Sequence, residues 1–331
     1  MTIGLIRGDG IGPEITQATL RVLDAAGAAV QWEELLAGQN ATDEVGEPMP
    51  QATIDRANEI GVILKGPMMT PVGGGHRSPN VTLRRAMDLY ANVRPVRALP
   101  GLRCVAPDAD IVIVRENTEG LYAGIERETE EGAEAIARVT REGSERVVRF
   151  AFEHARKNGR DKVTILHKAN ILKKSSGLFL QIGREVAKDF PDIECADLII
   201  DAACMKMVMY PEMFDVVVTT NLFGDIISDL GAGLVGGLGL APGANIGNGK
   251  AMFEAVHGTA PDIAGQGVAN PTALLVAASQ MLTFIGQDVA ARRVHAAVLA
   301  ALHNKRTRTR DLGGKLNTAE FTGAVIANLG E

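Results

Sequence analysis

Short apolar runs alternate along this chain with longer stretches whose apolar residues return at helical spacing, and each period selects a different element. Residues 2–7, 61–64, 110–114, 163–166, 198–200 and 216–218 read as strands. Most are β-branched and continuously apolar, as strands covered on both faces are. Helical periodicity predicts a helix that opens at Pro13 and closes at Gly27, where proline suits a first turn and glycine an end. Further helices are expected over 81–90, 132–158 (with Ile136, Val139, Val147 and Phe150 on one face), 178–189, 271–285, 289–302 and 318–329. Strands alternating with helices predict an α/β protein. Residues 68–79, with three consecutive glycines, read as a turn-rich loop.

Two charge-free runs are long enough to raise the question of a membrane span. The first lies between Asp229 and Lys250 and holds eight glycines, Pro242, Asn245 and Asn248, which predicts close helix packing followed by a loop. The second, between Asp262 and Asp288, is broken by Asn270-Pro271 and predicts a buried helix of a soluble protein. No membrane partner is therefore expected. The opening residues show no cationic leader before a long apolar segment, so no secretory signal is expected either. With 331 residues, the length suggests two domains at about 150 residues each. A net charge of −6 argues against nucleic acid as the main partner, since phosphate binding needs a basic surface. Cys104, Cys195 and Cys204 are odd in number and lack C-x-x-C spacing, which predicts unlinked thiols in a reducing cytoplasm.

Several segments carry candidate chemistry. Gly8-Asp-Gly-Ile-Gly-Pro follows a strand and opens a helix, with Glu33 or Glu34 downstream, but its spacing is not that of a dinucleotide fingerprint. A tight strand-to-helix turn is the plainer reading. Asp225 and Asp229 would share one face of a helix, where like charges repel unless a divalent cation joins them. Hard carboxylate oxygens favour magnesium or manganese. Against that acidic pair stand Arg84, Arg94, Arg97 and Arg115, whose planar forks grip carboxylates. A metal beside arginines suits a polycarboxylate substrate. Tyr122 lies in a glycine-flanked segment, and Lys168 directly follows an apolar strand, where its pKa is open to tuning. His257-Gly-Thr-Ala-Pro-Asp and Asn270-Pro271 form small-residue loops whose backbone can approach a phosphate.

Taken in order, Gly8-Asp-Gly-Ile-Gly-Pro-Glu, Arg77-Ser-Pro-Asn-Val-Thr-Leu-Arg84, Asp88-Leu-Tyr-Ala-Asn-Val-Arg94-Pro, Arg115-Glu-Asn-Thr-Glu-Gly-Leu-Tyr122, His167-Lys-Ala-Asn, Asn221-Leu-Phe-Gly-Asp and His257-Gly-Thr-Ala-Pro-Asp make the chain resemble the β-decarboxylating dehydrogenases. That family comprises isocitrate, homoisocitrate and 3-isopropylmalate dehydrogenases, and the NAD-dependent isocitrate enzymes are the nearest in pattern. The resemblance implies an isocitrate/isopropylmalate dehydrogenase-like α/β fold, not a Rossmann fold. It implies a large discontinuous domain (1–91 and 235–331), a small domain (92–234) forming a dimer interface, and a cleft between them. It further implies an at least dimeric homo-oligomer, with residues matching Lys168 and Asp201 reaching into the neighbouring subunit's site.

Carried across by position, the resemblance makes Tyr122 and Lys168 the acid–base pair. Ser78, Asn80, Arg84, Arg94 and Arg115 become substrate contacts, and Asp201, Asp225 and Asp229 ligands of Mg2+ or Mn2+. Thr70, Asn170, His257, Gly258, Thr259, Ala260, Asp262, Ile263 and Asn270 become cofactor contacts. Asp262-Ile263 stands where NADP-dependent relatives carry Lys-Tyr, so NAD is expected, although Arg310 falls near another position those enzymes use. Ser78 and Asn80 suit the γ-carboxylate of isocitrate, with homoisocitrate the leading alternative because one methylene discriminates by only about 1–3 kcal/mol. A non-catalytic regulatory subunit is the alternative of another class, and the intact acid–base and metal positions weigh against it.

Overall fold

The structure, a computed structural model, describes residues 1–70, 78–99 and 101–330. The glycine triplet at 73–75 and Arg77 of the sequence reading lie outside the described residues. The chain forms two compact units, one from Met1–Met87, Leu99–Arg103 and Gly236–Glu331, the other from Asp88–Ala98 and Cys104–Val235.

The first unit opens with β1 (Thr2–Ile6), α1 (Gly12–Ala25), β2 (Gln31–Glu34), α2 (Gln39–Val45), α3 (Gln51–Ile60), β3 (Val62–Lys65) and α4 (Pro79–Ala86). The second unit follows with β4 (Ala91–Arg97), β5 (Asp110–Glu116), β6 (Gly120–Thr129), β7 (Gly132–Arg138), α5 (Arg141–Lys157), β8 (Lys162–His167), α6 (Ser175–Ala187), β9 (Glu194–Ile199), α7 (Ile200–Met209), β10 (Val216–Thr219) and α8 (Asn221–Val235). The chain then completes the first unit with β11 (Pro242–Ile246), β12 (Ala251–Ala255), α9 (Thr272–Phe284), α10 (Asp288–His303) and α11 (Thr318–Ala327).

In the first unit the strands run in the order β2-β1-β3-β12-β11, parallel except for the β11–β12 pair. Helix α1 starts with proline in its first turn and is followed by Gly27 at φ 73°, as the sequence leads one to expect. The second charge-free run becomes α9, which buries Leu274, Leu275, Met281 and Leu282. In the second unit the order is β4-β5-β10-β8-β9, with only β4–β5 antiparallel. Ile111 and Ile113 of β5, Val217 of β10, and Ile227 and Leu234 of α8 form its core. Thr140 caps α5 by accepting a bond from the Gly143 N–H at 3.0 Å.

Three expectations are corrected. Residues 132–138 are not the start of a long helix. They form β7, paired antiparallel with β6 as a separate two-stranded sheet, and every residue of β7 is exposed. The alternation Ala133-Glu134-Ala135 beyond Glu130-Glu131 carried the hairpin signal, and the helical spacing of Ile136 and Val139 was coincidental. Residues 242–246 are not a loop but β11, in which Pro242 takes the first strand position where its missing N–H is tolerated. The strand read at 198–200 is the end of an edge strand, β9, whose first two residues, Glu194 and Cys195, are exposed; Leu198 packs against the core as expected, and Ile200 already begins α7. Among the described residues no helix is long and apolar enough to cross a membrane.

Candidate functional site

Arg115 is the next-to-last residue of β5 and is 1% exposed. A buried guanidinium needs anionic or carbonyl partners, and α8 supplies them. Nε and Nη2 of Arg115 donate to Asn221 Oδ1 at 2.9 and 2.7 Å, and Nη1 donates to Asp225 Oδ1. Asn221 in turn donates its amide N–H to the Glu119 carbonyl at 3.1 Å. The helix reaches this depth because Gly224 faces the arginine. A Cβ there would lie 2.5 Å from Arg115 Cγ.

Arg94, on the neighbouring strand β4, joins the same carboxylate. Its Nη1 donates to Asp225 Oδ1 at 3.4 Å and lies 4.0 Å from Asp229 Oδ1, while its Nε is held by Asn92 at 2.7 Å. The Tyr122 hydroxyl donates to Asp225 Oδ2, and its ring lies under the Arg115 guanidinium at 5.0 Å. Burial, then the adjacent Asp225, pushes the Tyr122 pKa up, so its hydroxyl stays protonated. Burial and the like charge of Asp225 also raise Asp229, against the pull of Arg94. Arg97, the fourth arginine of the sequence reading, stands apart at the exposed end of β4 and pairs with Asp110 at 3.8 Å.

Asp225 and Asp229 lie one helical turn apart on α8, as conditionally read from their spacing. Their oxygens are hard donors of the kind magnesium and manganese take, and Asp229 keeps an exposed side chain. The donor set fits such a cation but is short of ligands. Among the described residues no three His, Cys, Asp or Glu side chains of this chain gather in one place. Asp201, at the start of α7, instead accepts from Lys168 Nζ at 2.5 Å. That ion pair holds the Asp201 carboxyl below its usual range. The Lys168 loop is fixed from behind, since Ser176 Oγ accepts the Lys168 N–H at 2.7 Å and His167 Nδ1 accepts the Ala169 N–H at 3.1 Å. Asn170, next in that loop, is exposed.

The remaining candidates belong to the first unit. Arg84 on α4 is 9% exposed and donates to Glu254 Oε1 at 2.6 Å. Glu254, on β12, also accepts from Asn245 of β11 at 2.8 Å and pairs with Lys65 of β3 at 2.8 Å. Burial would raise the Glu254 pKa, but the two cations hold it well below the usual carboxylate range. Asn80 Oδ1 and Arg84 Nε are buried with no hydrogen-bond partner among the described residues, and Ser78 Oγ lies 3.0 Å from Thr70 Oγ1. These groups stand ready to meet a polar ligand.

In the loop after β12, His257 Nδ1 is engaged by the Gly258 carbonyl at 2.9 Å, and buried Nε2 has no hydrogen-bond partner among the described residues. Ala260 adopts φ 40°, a left-handed conformation that alanine takes only under constraint. Thr259 is buried, Asp262 is exposed and Ile263 half-buried. Asn270 is clamped between Asp311 at 2.9 Å and the Thr272 N–H at 3.0 Å. The Gly8-Asp-Gly turn is the tight turn of the plainer reading. Cβ atoms at Gly8 and Gly10 would lie 2.1 Å from the Pro67 and Thr259 carbonyls.

A model of the isocitrate/isopropylmalate dehydrogenase family matches residues 2–325. The chain belongs to this family. The NAD isocitrate dehydrogenase catalytic subunit 5, mitochondrial, of Arabidopsis thaliana is 46% identical, over 99% of this chain and 88% of its own length. The NAD isocitrate dehydrogenase subunit alpha, mitochondrial, of Homo sapiens is 48% identical, over 97% of this chain and 88% of its own. A crystal structure of isocitrate dehydrogenase from Methylococcus capsulatus superposes with a TM-score of 0.97 at 54% identity, covering 99% of both chains. The isocitrate/isopropylmalate dehydrogenase fold expected from the sequence is thus the fold observed.

Sequence reading missed Glu254 and Lys65 in this family member. Each is a lone charge inside an apolar strand, Val-Ile-Leu-Lys and Ala-Met-Phe-Glu-Ala, which was the available signal. Their pairing exists only in the β3–β12 register, where the two residues are direct partners. Because the folded carboxyl titrates below its unfolded value, Glu254 stabilises the fold above about pH 4.3, and that contribution shrinks as pH falls further. Glu254→Gln strands two buried cations, so urea unfolding at pH 7 is expected to show a loss of about 3–5 kcal/mol. The gap to wild type should narrow below pH 4; parallel pH profiles would refute the ion cluster.

Proposed function

We propose that this chain catalyses the oxidative decarboxylation of isocitrate to 2-oxoglutarate and carbon dioxide, with NAD as hydride acceptor and a divalent cation, Mg2+ or Mn2+, at Asp225 and Asp229. The observation that carries the reading is the convergence of two buried arginines, a protonated tyrosine and a carboxylate pair around Asp225. The names of relatives at 46–48% identity support the substrate and the cofactor.

Arg94 and Arg115 in the second unit, and Arg84, Ser78 and Asn80 in the first, are each assigned to substrate carboxylates by the family resemblance. Their buried guanidiniums are already oriented, so little reorganisation accompanies binding. A bound cation supplies Lewis acidity toward the hydroxyl and the developing ketone oxygen. Lys168 accepts the proton of the secondary alcohol. Loss of carbon dioxide leaves a carbanion equivalent, and Tyr122 delivers its proton to that carbon. On the cofactor side, His257, Gly258, Thr259, Ala260, Asp262 and Ile263, with Thr70, Asn170 and Asn270, are assigned to the dinucleotide. Asp262 favours the free ribose hydroxyls of NAD and repels the extra phosphate of NADP.

We assign Lys168 and Asp201 to the neighbouring site of a homo-oligomer. They pair with each other, away from the Asp225 cluster. Met205, Val208 and Met209 of α7, Tyr210 and Met213 just after it, and Ile226 of α8 are all large and exposed. Apolar surface of that extent calls for a cover, and a second copy is the occupant that also completes the metal site. The Arabidopsis and human relatives are themselves named as subunits. Those names also say mitochondrial, so a cytoplasmic location is proposed for this chain on its three free thiols alone.

Purified protein with NAD, isocitrate and Mn2+ should form NADH, and more efficiently than with homoisocitrate. Absence of NADH defeats the proposal, and a preference for the longer acid shifts it to homoisocitrate. Tyr122→Phe and Lys168→Met should each be nearly inactive alone. After unfolding and refolding together they should recover about a quarter of wild-type activity, because mixed dimers carry one intact site. Failure to complement would place all the residues of a site in one chain. Asp262→Lys should narrow the ratio of kcat/KM for NAD over NADP by about tenfold or more; an unchanged ratio would remove Asp262 from cofactor choice.

A further inference from the structure

Asp9 has no role in the chemistry above, yet it is 6% exposed and each of its carboxylate oxygens accepts a backbone N–H. Oδ1 accepts the N–H of Gln39, the first residue of α2, at 2.7 Å. Oδ2 accepts the N–H of Met69 at 2.8 Å. The Asp9 N–H itself donates to the Pro67 carbonyl at 2.7 Å, so the residue grips the 67–69 segment twice. Two residues on, the Ile11 N–H donates to the Thr259 carbonyl at 2.9 Å. One three-residue stretch, Asp9 to Ile11, thereby bonds the chain just before Thr70 and the chain just before Ala260. Gly8 and Gly10 permit both approaches, since neither position has room for a Cβ. Gly38, against the same carboxylate, has none either; a Cβ there would sit 2.4 Å from Asp9 Oδ1.

We infer that Asp9 is a positioning residue for NAD, its carboxylate fixing the Met69-Thr70 backbone to the start of α2 on the same turn whose Ile11 N–H holds Thr259. The inference rests on the cofactor assignment above and adds a residue that touches neither substrate. A carboxylate presents two acceptors to two N–H groups, whereas an amide presents one acceptor and a donor that opposes the second N–H. Asp9→Asn therefore keeps an acceptor for only one of the Gln39 and Met69 N–H groups at nearly unchanged volume, and Asp9→Ala frees both.

The test is NAD binding by calorimetry on wild type, Asp9→Asn and Asp9→Ala, with thermal unfolding and steady-state kinetics in parallel. Asp9→Asn should weaken NAD binding about tenfold, and Asp9→Ala more. KM for NAD should rise accordingly, while KM for isocitrate and kcat at saturating NAD stay within about twofold of wild type. Equal loss of both substrates together with a lowered Tm would mark a general structural role and overturn the inference. Failure of both variants to fold would overturn it for the same reason. Wild-type protein that binds no NAD defeats the cofactor assignment and the inference with it. Wild-type binding matched by Asp9→Asn defeats the inference alone.

Discussion

The guanidinium of Arg115 is a positive charge with almost no access to water, and the second unit is arranged around that fact. Such a group persists only where anionic and carbonyl oxygens replace its hydration shell. Asn221 and Asp225 provide them from one face of α8, four residues apart, and the glycine between them removes the side chain that would hold the helix off. The helix that satisfies the arginine also delivers Asp229 beside it and gives Tyr122 its acceptor. Fold and site are therefore one problem in this unit: Ile227 and Leu234 bury one side of α8, while Asp225 and Asp229 are held by the other.

The first unit solves a similar problem with the charges reversed. Glu254 is a buried anion inside a strand, and Lys65, Arg84 and Asn245 surround it from a strand, a helix and a second strand. Neither cluster is an economical way to stabilise a core, because apolar side chains of equal volume generally do as well. What a charged cluster supplies instead is orientation. Arg84 is held through one nitrogen while its buried Nε has no partner among the described residues. A guanidinium fixed at one end and open at the other meets an incoming carboxylate without first having to be ordered.

How much of this was legible depended on the range of the interaction. Strands such as 163–166 and 216–218 and helices such as 271–285 announced themselves because their periodicity is local and strong. The motifs named Arg84, Arg94, Arg115, Tyr122 and Asp225 individually, and the gathering of the last four in the second unit follows the spacing of Asp225 and Asp229 on a helix. Residues 132–138 misled because an exposed hairpin obeys no core-facing pattern, and Ile136 and Val139 fell by chance in phase with Val147 and Phe150 of the true helix α5. Glu254 and Lys65 stayed hidden because each is intelligible only through a partner about 190 positions away, brought opposite by strand register. Asp9 was visible within its glycine turn, but a turn motif draws attention to what a ligand would touch, and Asp9 faces inward to Gln39 and Met69.

That inward direction bears on how glycine-rich turns should be read. A glycine beside a phosphate and a glycine beside another backbone look alike in sequence, since both mark a place where a Cβ does not fit. The neighbour distinguishes them. At Gly8 and Gly10 the space a Cβ would need is filled by the Pro67 and Thr259 carbonyl oxygens. Carbonyl oxygens would repel a phosphate at those points, so the turn cannot serve as its cradle. The same contacts make the turn a brace between two loops, each of which carries residues assigned to the cofactor. Its glycines thus act on binding through the spacing of other segments, and the buried carboxylate between them adds the bond that holds Met69, next to Thr70, to the start of α2.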